Sequence, residues 1–125
     1  MRFARIVFIV AGVWGIAVLT PIYFLVDVTG RHYARPAEYP HFFYGFLSVA
    51  IAWQMAFLVI GSNPARFRPL MIPAIVEKLG WVAGLAILHG QGRVSAADAQ
   101  ALWPDLFLGL LFIAAFAKAR ASDTR

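Results

Sequence analysis

Cysteine is absent from this 125-residue chain, which excludes disulfides, thiolate metal sites, attached c-type haem and cysteine nucleophiles. Charge is scarce too: 14% of residues are Asp, Glu, Lys or Arg, and only six are acidic. Hydrophobic residues make up 62%, more than a soluble domain of this length can hide. The expected solvent for most of the chain is therefore lipid. No period-two alternation runs through the apolar stretches, so helices rather than barrel strands are the expected spanning elements. There is no internal repeat, low-complexity tract or linker, which leaves one domain covering 1–125.

What is there falls into four apolar runs, at about 6–26, 42–60, 70–88 and 102–117. Each approaches the ~20 residues that a helix needs to cross ~30 Å of hydrocarbon. The sequence thus predicts an all-α, polytopic membrane protein built as a four-transmembrane-helix bundle. The first run follows Arg2 and Arg5 as a signal peptide would, but it is too long and lacks a small-x-small cleavage site. It reads as a retained helix, bent near Thr20-Pro21 where proline removes a donor. Proline also marks the start of the other three: Pro40, then Pro69 or Pro73, then Pro104. Ser95 and Asp98 have capping-box spacing, predicting a short surface helix that ends near Trp103.

The formal net charge of +5 does not point to nucleic acid, because the basic residues stand at the ends of the runs and form no stripe. Their distribution predicts orientation. Arg2, Arg5, Arg66, Arg68, Lys118, Arg120 and Arg125 share one side, against Arg31, Arg35 and Arg93 on the other. The positive-inside rule places both termini in the cytoplasm of a bacterial inner membrane, and the imbalance argues against dual topology. Tyr23, Tyr33, Tyr39, Tyr44 and Trp103 are expected as an aromatic belt at the opposite face.

Glu77-Lys78 is the point at which the sequence departs from plain spanning material, since charge in hydrocarbon is costly. Glu77 and Gln54 are expected at similar depth, with Trp14, Trp53 and Trp81 around them. One reading is a pocket between helices for a lipophilic small molecule or lipid, with Glu77 and Gln54 anchoring its polar end. The other is structural: Lys78 snorkels to the headgroups and Glu77 pairs with Arg66 or Arg68. Neighbours on a helix do not face each other, so Glu77 and Lys78 are not expected to pair.

A second polar set, Asp27, His41, His89 and Asp105, is expected at the outer face. Its spacing matches no metal or catalytic motif, and helix-end electrostatics accounts for Asp105 and His89. No cofactor or metal is expected. Gly80-x-x-x-Gly84, with Ser48, Ala52 and Ala56 at four-residue spacing, predicts close helix packing within the bundle or at a homodimer seam.

The stretch from Asn63 through Pro64, Arg66, Arg68 and Pro69, continuing over Pro73, Glu77-Lys78 and Gln91-Gly92-Arg93, resembles a pattern in small bacterial membrane proteins broadly similar in plan to the DoxX-like group. The resemblance covers about a quarter of the chain. It implies a four-helix inner-membrane architecture and no residue-level role. Three classes of function follow: a binder or mover of a lipophilic molecule, an accessory subunit of a larger membrane complex, and a proton-coupled small transporter. An enzyme has the least support, because no nucleophile, base and acid fall into a recognisable arrangement.

Overall fold

A computed structural model describes residues 2–29 and 40–123, and all regular structure among them is helical. The helices are α1 (Arg2–Thr29), α2 (Pro40–Ser62), α3 (Met71–Gly90), α4 (Ala96–Ala99) and α5 (Leu102–Asp123). Four of them are long and apolar enough to cross a membrane, as expected, with α4 a single turn between the last two. Pro21 lies inside α1 without ending it. A 3₁₀ turn at Arg68–Leu70 places Pro69 at the entry to α3, so Pro73 falls within the helix. Ser95 caps α4, its Oγ accepting from the Asp98 N–H at 3.1 Å. That short helix ends at Ala99, before Trp103, which already belongs to α5.

Around the bundle the helices follow the order α2, α1, α5, α3, while α2 and α3 approach each other at few points. The α1–α2 seam is tight because glycine lines it. A Cβ on Gly12 would lie 2.8 Å from the Gln54 carbonyl oxygen, and one on Gly61 would lie 2.7 Å from Ile9. On α1, Ala4, Phe8, Ala11 and Gly15 recur at three- and four-residue steps and form one inward face. Phe8, Phe57 and Phe112 meet at its centre. The Phe8 and Phe112 rings stack at 4.3 Å, and Phe57 meets Phe112 edge-on at 5.0 Å. These fully buried rings pin α1, α2 and α5 together.

The outward faces are apolar as well. Ile6, Val10, Phe46, Val49, Ile72, Val76, Ile87 and Leu110 are exposed, and no span window is more than 33% buried. In water such a surface would be one large association patch, whereas in lipid tails it is the ordinary exterior of a spanning bundle.

The Gly80/Gly84 face is not used within the bundle, which corrects the expectation of close packing there. A Cβ on either glycine would meet nothing within 4 Å. Ser48 and Ala52 are also exposed, Ala56 is half-buried, and the Ser48 hydroxyl donates to the Tyr44 carbonyl of its own helix at 2.8 Å. The close backbone approach comes from Gly12, Gly15 and Gly61 instead.

Candidate functional site

Lys78 occupies the buried stripe of α3, in register with Met71, Ala74 and Leu85, and is only 3% exposed. Gly109 of α5 lies against this stretch of α3: a Cβ there would stand 3.0 Å from Leu79 Cδ2 and 3.4 Å from Lys78 Cβ. The ammonium reaches Asp105 Oδ1 at 3.1 Å, and lies 3.7 Å from Glu77 Oε2. It also sits over the Phe57 ring of α2, 5.3 Å from the centroid. Lys78 therefore does not snorkel to an interface; it turns inwards and ties α3 to α5. Ten residues separate it from Arg68, which at 1.5 Å per residue places it about 15 Å along the span.

Glu77 and Lys78 are partners after all. Their Cβ atoms diverge by about 100° around the helix, but both chains are long and flexible enough to converge at their ends. Glu77 does not pair with Arg68, whose Nε donates to the Phe116 carbonyl at 3.1 Å with its guanidinium over the Phe116 ring at 3.7 Å. Arg66 lies over the Phe67 ring at 5.4 Å. Glu77 Oε2 is buried and has no hydrogen-bond partner, although its side chain as a whole is 27% exposed.

The other expected pocket members separate. Gln54 is buried, but its amide turns towards α1: Nε2 donates to the Ala50 carbonyl at 2.9 Å, and the space a Gly15 side chain would need is taken by Oε1. It makes no hydrogen bond to Glu77. Trp14 lies elsewhere again, in an open apolar groove of about 210 Å³ with Pro104, Phe107 and Leu108. Trp81 remains beside Glu77, one turn along the same face of α3. Trp81 stacks on Phe46 of α2 at 5.8 Å, and Trp53 stands on the same α2 face, between Phe46 and Phe57. A wide α2–α3 seam is thus bridged by rings rather than by close backbones.

Among the described residues of the outer polar set, Asp105, His89 and His41 each have a separate neighbour. Asp105 is the first-turn acid of α5, as the sequence indicates, and it is also committed to Lys78. His89 Nδ1 lies 3.0 Å from the Val94 carbonyl, and His41 is exposed with its ring against Phe42 at 4.3 Å. Among the described residues, no three metal-ligating side chains converge. The Asp27 side chain lies outside the described residues, as do Tyr33 and Tyr39, while Tyr23 and Tyr44 meet edge-on at 5.2 Å.

What the sequence reading missed is the Lys78–Asp105 pair. Its signal was present: Lys78 falls at the apolar position of the 71, 74, 78, 85 register, where a lone charge requires a partner. Asp105 is the acid that an antiparallel α5 brings level with it. Chemically the arrangement is two carboxylates sharing one ammonium in an apolar span, beside an aromatic seam. No family model, curated protein or solved structure matches this chain.

Proposed function

We propose that the protein resides in a bacterial inner membrane and holds a lipophilic molecule against α3, with Glu77 as the polar anchor and Trp81 and Trp53 contacting the body. Gln54 and Trp14 have no part in this site. The observation that carries the reading is the Glu77 side chain, which has one oxygen buried towards Lys78 yet is still 27% exposed, next to a glycine face with free space above it. A carboxyl group part-exposed on an apolar span is costly, and a ligand donor on its outward side would offset that cost. The test is retention of co-purifying lipid or quinone by Glu77→Gln and Trp81→Ala, quantified by mass spectrometry after detergent purification. Both variants are expected to lose most of the bound material, and unchanged retention removes the proposal.

The orientation belongs to the same proposal: both termini on the cytoplasmic side, from the seven-to-three distribution of basic residues. Reporter fusions at the two ends are expected to give the same cytoplasmic signal; opposite signals would show an odd number of crossings.

The open Gly80/Gly84 face also favours a second reading, an accessory subunit that docks this face on a larger complex. Cysteine introduced at Gly80 and cross-linked in native membranes separates the two, because a stoichiometric foreign partner at that position supports docking.

A further inference from the structure

The seam between α1 and α5 carries an apolar groove and a cation on one line. Val10, Trp14, Pro104 and Phe107 frame the groove, which is open and holds about 210 Å³. At the end of the span, the ammonium of the exposed Lys118 lies over the Phe3 ring, 4.1 Å from its centroid. Phe107, Leu111, Ala114 and Lys118 follow one another at three- and four-residue steps, as do Phe3, Val7, Val10 and Trp14 on α1. Groove and cation therefore share one face of the seam. Eleven residues separate Phe107 from Lys118, about 16 Å of helix, close to the ~15 Å of hydrocarbon in one leaflet. Arg2 and Arg5 of α1 stand at the same end, as does Arg68, whose guanidinium lies over Phe116 of α5. Among the described residues only Lys78 forms ion pairs, so no described carboxylate neutralises these cations.

We infer that this seam binds an anionic phospholipid from the leaflet at the basic end, its phosphate at Lys118 and one acyl chain in the groove. The site is separate from the α3 face, because α5 turns Lys118 and Phe107 towards α1 and Asp105 towards Lys78 of α3. A basic side chain at headgroup level attracts an anionic headgroup, and the Phe3 ring holds the ammonium in place. Between headgroup and groove, Leu111 and Ala114 are half-buried, so a chain can lie along the seam. The groove is smaller than the ~300–1,000 Å³ of a pocket for a drug-sized ligand, which suits the end of a chain better than a bulky body. A second copy in the same membrane orientation would cover the groove only by bringing two Lys118 side chains together, and like charges oppose that contact.

Native mass spectrometry of the full chain, in a non-ionic detergent, tests this with phosphatidylglycerol and phosphatidylcholine of identical chains. One phosphatidylglycerol per chain is expected to bind, preferred over phosphatidylcholine by about fivefold. Lys118→Gln is expected to remove the preference, and Val10→Trp, which fills the groove, to weaken binding of both lipids. Dihexanoyl-phosphatidylglycerol, whose chains end short of the groove, is expected to bind far more weakly than the long-chain lipid. Glu77→Gln is expected to leave the preference unchanged, which separates this site from the one on α3. If a variant does not fold, the wild-type comparisons of headgroup and chain length decide alone. Equal binding of the two headgroups overturns the inference, as does a preference that survives in folded Lys118→Gln. So does full binding by the short-chain lipid or by folded Val10→Trp, or a dimer that covers the groove and excludes lipid. A preference lost in folded Glu77→Gln would put the lipid on α3 and overturns the α1–α5 site.

Discussion

Lys78→Met is expected to destabilise the protein by about 3–5 kcal/mol, or to prevent recovery of folded chain altogether. The methionine fills nearly the same volume, so the effect does not come from a cavity. It comes from Asp105 and Glu77, which would stand close together in an apolar span with no counter-charge. The double variant Lys78→Met/Asp105→Leu is expected to recover much of the loss, because the closer pair is replaced as a whole by apolar groups and only the part-exposed Glu77 is left without its counter-charge. Thermal unfolding in a single detergent, followed by circular dichroism, measures both. A silent single variant, or a double variant no better than the single one, would mean that the pair does not hold α3 to α5.

This expectation runs against the first reading of Glu77-Lys78, and the reason is local. Along a single helix, an acid and a base at adjacent positions project about 100° apart, which made pairing between them look unfavourable. The position of the base relative to its own apolar stripe carried more information. Lys78 replaces an apolar residue in the 71, 74, 78, 85 register, and Gly109 lies across the seam from Leu79 and Lys78. Whether an acid lies opposite depends on which helices are neighbours, and four runs of similar hydropathy do not specify that order. The number of helices, their limits to within a few residues, and the Ser95 cap were legible because each depends on local pattern alone. The tight seam was misassigned to Gly80 and Gly84 for a related reason. Four-residue glycine spacing signals an ability to pack closely, but Gly12, Gly15 and Gly61 are the glycines that α1 and α2 use. Counting residues from the helix ends puts Gln54 and Glu77 at similar height, yet height says nothing about facing direction, and Gln54 faces α1.

Phe112→Ala is the second large effect, and its size depends on the solvent around the bundle. In a soluble core, truncating a fully buried phenylalanine costs about 3–5 kcal/mol, part of it the lost transfer from water. In the membrane proposed for this bundle, separated helices would return the ring to hydrocarbon rather than to water, so the transfer part largely vanishes. What remains is the contact that Phe112 makes with Phe8 at 4.3 Å and with Phe57 at 5.0 Å, together with the void left where three helices meet. A loss of about 1.5–3 kcal/mol follows, smaller than for a water-soluble core and still large for one residue. Phe107→Ala on the same helix provides the contrast. That ring is exposed on the outward face and is expected to change stability by less than about 0.5 kcal/mol. Unfolding of the two variants side by side in one detergent decides the point. Equal, small losses would show that the aromatic hub does not join α1, α2 and α5. A Phe112→Ala loss of about 5 kcal/mol would instead show that unfolding exposes this ring to water, and with it that hydrocarbon is not the surrounding medium.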